Sequence, residues 1–137
     1  MEQNKKTLTQ EELESVSGGV GEPTPELPPV DGNAVVSRAY AEIGKPYAWG
    51  AVGPEGYDCS GLVSYCLTGV HCRIGTTSTF MSWPRVSNPQ PGDICTSSSH
   101  CGIYIGPGQM IHAPTFGQVV SAAPIQGDMI IVRRPST

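Results

Sequence analysis

Short β-rich runs separated by tight-turn signals fill the chain beyond Pro91, and they limit its fold more than any other feature. The dipeptides and tripeptides between the runs, Pro-Gly, Gly-Pro-Gly and Gly-Asp, favour turns. Strands joined by such short connections run antiparallel and lie next to each other, so one antiparallel sheet is expected here. The predicted strands are residues 94–96, 102–105, 109–112, 119–122 and 129–133.

Helical periodicity precedes these strands. Apolar residues recur at helical spacing at Val35, Val36, Ala39, Tyr40 and Ile43. Asp31 or Asn33 can cap this helix, and Gly44 followed by Pro46 can end it. A second helix is predicted over about residues 60–67. Helices followed by antiparallel strands predict an α+β fold in which the helices pack on one sheet.

Length and composition bound the class of protein. A chain of 137 residues with 38% hydrophobic content suffices for one folded domain with a core. The net charge of -4 and the lack of a Lys/Arg cluster argue against nucleic acid or an anionic membrane as a partner. No run of about 18 apolar residues is present, so no membrane insertion is expected. The N-terminus also lacks the apolar segment of a Sec-type signal, and no metal or cofactor site is predicted.

The polar N-terminal segment ends in Gly18-Gly19. Counted back from a cut after Gly19, the fourth, seventh, eighth and twelfth positions are Val16, Leu13, Glu12 and Leu8. This pattern resembles the double-glycine leader of exported bacteriocins and related peptides. The resemblance implies that an ABC transporter with its own peptidase domain binds the leader as a short amphipathic helix and cuts after Gly19. The alternative is a charged, disordered tail that happens to contain two glycines.

Three zones make up the predicted domain organisation. Residues 1–19 form the leader, and residues 20–30, with four prolines among glutamates, form an extended linker. Residues 31–137 form the folded domain. Within it, residues 69–88 show no clear period and are predicted as a loop with possible helical turns.

Cys59 lies where a loop turns into the second predicted helix. A thiolate there faces unpaired backbone N–H groups and the positive end of the helix dipole, which lowers a cysteine pKa from about 8.5 toward neutrality. The same N–H groups can stabilise the oxyanion that forms when a thiolate attacks a carbonyl. Taken alone, however, a cysteine at a helix start is more often structural than catalytic.

The histidines His71, His100 and His112 are the candidates for a general base. His100 opens one predicted strand and His112 lies on the next, so their imidazoles can meet across the sheet. We predict that His100 is the general base for Cys59 and that His112 orients His100 by fixing its tautomer. His71 is interpreted as a surface residue.

Together these residues resemble the NlpC-type cell-wall cysteine peptidases, a papain-like group, over residues 31–134. The likeness rests on Pro46-Tyr47 with Trp49-Gly50, Asp58-Cys59-Ser60-Gly61-Leu62, Pro91-Gly92-Asp93, His100 with Gly102-Ile103-Tyr104, and Met110-Ile111-His112-Ala113. The resemblance implies a papain-like domain that hydrolyses the peptidoglycan stem peptide, typically between γ-D-Glu and a diamino acid.

The resemblance also assigns roles to single residues. Cys59, His100 and His112 match the family's catalytic positions. Tyr47, Asp58 and Ser60 match positions that line the pocket for the free amino end of the stem peptide. Asp58 equally suits a helix N-cap, and both roles can hold at once. Trp49, flanked by glycine, is expected in the core.

The chain contains five cysteines, an odd number. If Cys59 stays free, Cys66, Cys72, Cys95 and Cys101 allow three pairings into two disulfides. The equally favoured alternative is that these four cysteines are reduced and buried as small hydrophobic residues. Cys101 stands where the family commonly carries a small apolar residue, and we expect it to pack rather than react. Residues 73–78 follow the family's Arg-Thr-Ser segment only loosely, which leaves the substrate groove on that side unassigned.

These features predict a secreted peptidase, made as a precursor and freed of its leader on export. It would cut the stem peptides of its own wall or of a competitor's wall. Two alternatives stay open. The same core can hydrolyse an amide elsewhere in the wall or transfer an acyl group, or the domain is a non-catalytic exported antibacterial or signalling protein.

Overall fold

The computed structural model describes residues 31–135 of the chain. The predicted leader at residues 1–19, its cleavage site at Gly18 and Gly19, and the linker at residues 20–30 lie outside the described residues.

The first helix, α1, spans Gly32–Ala41 and packs through Val35 and Ala39, which are buried. Their spacing of four residues places both side chains on one face of the helix. Tyr40 and Ile43 continue the helical spacing in the sequence, but they are 53% and 43% exposed. Tyr40 follows Ala39 and therefore points away from the core, and Ile43 lies beyond the end of the helix.

Helix α2 spans Cys59–Thr68 and ends at Gly69, which adopts a left-handed conformation. It is the central helix of the domain, and seven of its ten residues are buried. A short helix, α3, spans Thr77–Met81 in the segment that was predicted as loop with helical turns, and it buries Phe80. No helix among residues 31–135 is long and apolar enough to cross a bilayer.

Five strands follow: β1 (Ile94–Thr96), β2 (Cys101–Gly106), β3 (Gln109–His112), β4 (Ser121–Pro124) and β5 (Ile130–Val132). They form one antiparallel sheet in the order β4-β3-β2-β1-β5. The α+β prediction is therefore confirmed. The fourth strand begins two residues later than predicted, because Val119 instead forms a bridge with Pro46 in the loop after α1.

The two faces of the sheet bury different sets of side chains. Helices α1 and α2 pack against β2 on one face, over a core that includes Leu62, Ile103 and Ile111. A smaller cluster of Cys95, Tyr104 and Met110, covered by Ile125, Met129 and Ile131, lies apart from that core. Helix α2 thus lies directly against β2, and residues at or next to the start of each element belong to the candidate active site.

Candidate active site

Cys59 is the first residue of α2, directly after the N-cap Asp58. The Asp58 carboxylate accepts a hydrogen bond from the Gly61 N–H at 2.7 Å, which fixes the first turn of the helix. Gly61 is required there because a Cβ at this position would lie 2.1 Å from the Ala51 carbonyl oxygen. The close packing of loop and helix therefore sets the direction in which the Cys59 thiol points.

The neighbours of Cys59 lower its pKa to about 5. The largest cause is a hydrogen bond from the Cys101 thiol. Burial opposes the shift, and a hydrogen bond and the charge of His100 add to it. The pKa of Cys59 is therefore lower than the position at a helix N-terminus alone predicts. Cys59 is a thiolate at neutral pH.

A tight turn between β1 and β2 holds His100. The Ser97 N–H donates to the His100 carbonyl at 2.8 Å, and the Ser97 hydroxyl accepts from the His100 N–H at 3.2 Å. The turn is closed by the strand pair Thr96 and Cys101. His100 is therefore fixed through its backbone at both the N–H and the carbonyl, which leaves its ring available to neighbouring side chains.

His112 ends β3 and meets His100 across the sheet. The His100 Nε2 and His112 Nδ1 atoms are 2.7 Å apart, and the rings meet edge to face with centroids 5.0 Å apart. Gly102 makes this contact possible, since a Cβ there would lie 2.9 Å from the Ile111 carbonyl oxygen and 3.1 Å from the His112 Cβ. The structure thus brings together Cys59, His100 and His112.

Burial lowers the pKa of His112 to about 4, and the nearby charge of His100 acts in the same direction. His112 is consequently neutral at neutral pH. Its Nδ1 can then accept a hydrogen bond from the Nε2–H of His100. That bond fixes the tautomer of His100 and leaves its Nδ1 as the ring atom that faces Cys59.

Arg73 is the residue at this site that the sequence did not single out. Its guanidinium binds both carboxylate oxygens of Asp58 at 3.0 Å and also contacts the Ser60 hydroxyl. The Gly50 N–H adds a further bond to Asp58 at 2.9 Å. In the sequence, the loose match of residues 73–78 to the family's Arg-Thr-Ser segment was the only indication of this role. Arg73 is the residue of that segment that reaches the site.

Tyr47 lies beside Cys59 on the loop after α1. Its backbone N–H donates to the Gln118 carbonyl at 2.9 Å, so this loop is held against the loop that follows His112. Burial raises the pKa of the Tyr47 phenol, and the negative charges of Cys59 and Asp58 add to this effect. The phenol therefore stays protonated and can donate a hydrogen bond into the site.

The prediction that Trp49 belongs to the core is wrong. Its side chain is 87% exposed. Trp49 precedes Gly50, which adopts a positive φ of 79° and turns the chain so that its N–H reaches Asp58. The tight turn directs the indole outward. His71, in contrast, is exposed as expected, and its ring stacks on Tyr65 with centroids 4.4 Å apart.

All five cysteines carry free thiols in the structure. Cys66, Cys95 and Cys101 are buried, as the reduced interpretation requires, whereas Cys72 is exposed. The structure therefore holds these cysteines in the reduced form. Within residues 31–135, no three His, Cys, Asp or Glu side chains are grouped so as to hold a metal ion.

Comparison with known proteins finds relatives that are named probable endopeptidases. A probable endopeptidase of Mycobacterium tuberculosis is 39% identical over 102 residues, covering 69% of this chain and 26% of the relative. The probable peptidoglycan endopeptidase LytE of Bacillus subtilis is 37% identical over 97 residues, covering 64% of this chain and 29% of LytE. The chain thus matches only about a quarter of the length of these curated relatives.

Solved structures share the fold. The NlpC/p60 domain of the peptidoglycan hydrolase SagA has a TM-score of 0.63 and 36% identity, covering 74% of this chain and 98% of that domain. The resuscitation promoting factor interacting protein RipA has a TM-score of 0.65 and 32% identity, covering 78% of this chain and 65% of RipA. The model of the NlpC/P60 family matches residues 44–134, and the chain therefore belongs to the NlpC/P60 family.

Proposed function

We propose that this protein is a secreted cysteine peptidase that hydrolyses peptidoglycan stem peptides at the bond between γ-D-Glu and a diamino acid. One observation carries the proposal. The Cys59 thiolate is hydrogen-bonded to His100, whose other ring nitrogen lies 2.7 Å from His112. This is the order of nucleophile, base and orienting group that acyl transfer through a thiolate requires.

The substrate class rests on the relatives. LytE of Bacillus subtilis is named a probable peptidoglycan endopeptidase, and SagA is named a peptidoglycan hydrolase. Both names describe those proteins, and the shared domain is the part of each that this chain matches. The domain carries the candidate active site described above, so the same substrate class is the simplest one to test.

Catalysis would begin with attack of the Cys59 thiolate on the scissile carbonyl carbon, which converts the carbonyl oxygen to an oxyanion. Of the first backbone amides of α2, Gly61 donates to the Asp58 side chain and Leu62 to the Asp58 carbonyl. The amides of Cys59 and Ser60 are the remaining donors at this end of the helix. They would stabilise the oxyanion as its charge develops.

Collapse of this intermediate would expel the amine, and His100 would supply the proton that the leaving nitrogen requires. The product of this half-reaction is a thioester on Cys59. Water, deprotonated by the same His100, would then attack the thioester and release the acid product together with free Cys59. His112 would keep the His100 ring in place through both proton transfers, because its neutral ring accepts the Nε2–H bond.

Tyr47, Asp58 and Ser60 would form the pocket for the free amino end of the stem peptide. A carboxylate beside a neutral phenol and a hydroxyl suits an ammonium group. Asp58 already binds Arg73 through both oxygens, so it would be shared between the guanidinium and the substrate. In this arrangement Arg73 holds Asp58 and Ser60 in position and keeps the local charge near neutral.

Digestion of purified muropeptides tests the proposal. The wild-type chain and Cys59→Ala are incubated with disaccharide stem peptides, and the products are identified by mass spectrometry. A new α-amine on the diamino acid, formed by the wild-type chain alone, is the expected result. Loss of the disaccharide would indicate an amidase, and a joined product would indicate acyl transfer. Equal products from both chains would contradict catalysis by Cys59.

Export forms the second part of the proposal. The double-glycine pattern at residues 1–19 supports removal of this segment by an ABC transporter with a peptidase domain. Coexpression with such a transporter should release a protein that begins at Val20, as its mass would show. Gly19→Val should abolish the cut, since the narrow protease cleft has no room for a side chain. Release of the uncut chain at the wild-type rate would contradict this part of the proposal.

A further inference from the structure

A second thiol lies beside the candidate nucleophile. Cys101 directly follows His100, opens β2 and is fully buried. Cys59 packs against the same core cluster to which Cys101 belongs, and α2 lies against β2. Cys59 and Cys101 also lie close enough that a hydrogen bond between their thiols shifts the pKa of both, downward for Cys59 and upward for Cys101.

The proposed peptidase chemistry uses this thiol as a hydrogen-bond donor to Cys59 and not as a reacting group. Nucleophile, base and orienting group are Cys59, His100 and His112, and a small apolar side chain at position 101 would fill the same space. A thiol in contact with a reactive thiolate nevertheless has a chemistry of its own, because the two can join as a disulfide once one of them is oxidised.

We propose that Cys59 and Cys101 form a reversible oxidation site, in which Cys101 is the resolving thiol that converts oxidised Cys59 into a disulfide. The site would take a peroxide as its oxidant. It goes beyond the proposed peptidase function and does not depend on it, because it needs the Cys59 thiolate but no peptide substrate.

Two balanced steps describe the modification. The Cys59 thiolate attacks one oxygen of hydrogen peroxide, the O–O bond breaks, and the products are Cys59 sulfenic acid and hydroxide, which takes up a proton to become water. The Cys101 thiol then loses its proton and attacks the sulfenic sulfur. The S–O bond breaks, the S–S bond forms, and the departing hydroxide takes that proton and leaves as a second water. Cys59 and Cys101 together lose two electrons to the peroxide.

The contact also explains when Cys101 becomes reactive. Its hydrogen bond to Cys59 and its burial raise the pKa of Cys101, so it stays a thiol while Cys59 is a thiolate. Sulfenic acid formation removes the negative charge from Cys59 and therefore removes part of the cause of the raised pKa. Cys101 is thus kept protonated until its neighbour has been oxidised.

The other three thiols are placed differently. Cys95 belongs to the separate cluster with Tyr104 and Met110. Cys66 lies in the second half of α2, about two turns from Cys59, and Cys72 is exposed after the helix. Cys101 is therefore the thiol expected to pair with Cys59.

Peroxide treatment of the full chain tests the site by mass rather than by activity. The wild-type chain, Cys101→Ala and Cys101→Ser are exposed to hydrogen peroxide at pH 8 and digested, and the peptides are mapped by mass spectrometry. Cys101→Ser keeps a hydrogen-bond donor but cannot form the disulfide. Cys95→Ala is the matched control, because it removes a buried thiol that belongs to the other cluster.

The wild-type chain and Cys95→Ala should yield a Cys59–Cys101 disulfide, and a thiol reductant should restore nearly all of the Cys59 thiol. Both Cys101 variants should lose most of this recoverable thiol, because Cys59 proceeds to sulfinic acid. Equal recovery in all four chains, or pairing of Cys59 with Cys72, would overturn the proposal. Neither outcome bears on whether Cys59 cuts peptides, since only the cysteine products are measured.

Discussion

The charge state of Cys59 is set by its immediate neighbours. Cys101 donates the hydrogen bond that lowers the Cys59 pKa most, and His100 contributes a hydrogen bond and a charge. Both act on the thiolate and favour it over the thiol, against the effect of burial. A buried residue beside the site thus contributes to the thiolate character of Cys59, the proposed nucleophile.

Alkylation kinetics test this arrangement. The rate at which iodoacetamide modifies Cys59 should rise through pH of about 5 and be nearly constant at pH 7, because the thiolate is the reacting form. Cys101→Val removes the thiol donor and should raise the midpoint by about one to two pH units, as loss of a hydrogen bond to a charged group would. Cys95→Val, at a distant buried thiol, should leave the midpoint unchanged. An unchanged midpoint in Cys101→Val would contradict the hydrogen bond.

Arg73 offers a second test at the residue scale. Arg73→Ala leaves Asp58 without its guanidinium but keeps its cap on Gly61, so the helix should persist. We expect KM to rise about tenfold with a smaller change in kcat, because the carboxylate and hydroxyl of the proposed pocket lose their positioning partner. Arg73→Lys keeps the positive charge but not the planar guanidinium, so its KM should lie between those of the wild-type chain and Arg73→Ala. Steady-state kinetics on a stem peptide provide the measurement, and an unchanged KM in Arg73→Ala would contradict this role.

Residues whose placement follows from local chemistry could be predicted from the sequence. Cys59 at a helix start, and two histidines on strands joined by a turn, are patterns within short stretches of chain, and the structure brings them together. Arg73 and Cys101 depend on contacts between separate elements, which no spacing reveals. The prediction for Trp49 was wrong for a related reason. A turn at Gly50 directs the side chain outward, although tryptophan as a residue type favours burial.

At the scale of elements, the close approach of β2 and β3 places the two imidazoles. The strands pair Ile103 with Ile111, and Gly102 lies between this pair and the His100 turn. The missing side chain of Gly102 lets the His112 Cβ lie within contact distance of its backbone. The distance between the strands at this point therefore controls the distance between the rings.

Gly102→Ala should separate the strands locally and weaken the contact between His100 and His112. The added Cβ would lie 2.9 Å from the Ile111 carbonyl oxygen, a backbone atom that yields only if β3 moves. We expect kcat/KM to fall at least about tenfold, since the positioning of His100, the proposed base, is lost. Gly106→Ala, in the same strand with open space around its Cβ, is the matched control and should stay near wild type. Equal activity of the two variants would contradict the argument.

The strand boundaries show what turn signals can and cannot predict. The strands at residues 94–96 and 109–112 match the structure, because the turns beside them are encoded by adjacent residues. The fourth strand was placed two residues early. Val119 has the residue type of a strand, but it bridges Pro46 in a loop far away in sequence. Local β-propensity cannot identify which partner such a residue pairs with.

At the scale of the whole molecule, a buried ion pair joins the residue before the first strand to the residue after the last strand. Asp93, fully buried just before β1, binds the Arg133 guanidinium through both oxygens at 2.7 and 2.8 Å. Arg133 directly follows β5, and Asp93 also accepts from the Gln90 N–H. The pair therefore holds the last strand beside β1, the strand that leads into the His100 turn.

Proton binding couples the active site to the stability of the whole fold. The folded-state pKa of His112 is lowered to about 4, so between pH 4 and about 6.5 the unfolded chain binds more protons at this residue than the folded chain. The free energy of unfolding must therefore rise with pH across this window. The lowered pKa of Cys59, about 5, acts in the same direction from pH 5 upward, because the unfolded chain keeps its thiol proton to higher pH.

Urea unfolding at pH 4.5, 6.5 and 8 under reducing conditions separates the two contributions. His112→Asn should flatten the rise between pH 4.5 and 6.5 by roughly 2 kcal/mol, since it removes the histidine whose charging opposes folding. Cys59→Ala should flatten the rise in both intervals, by roughly 2 kcal/mol in each, whereas His112→Asn should change the lower interval and leave the rise from pH 6.5 to 8 nearly intact. If His112→Asn keeps the full wild-type slope, His112 is not held neutral by burial, and its role as acceptor for the His100 ring has to be abandoned.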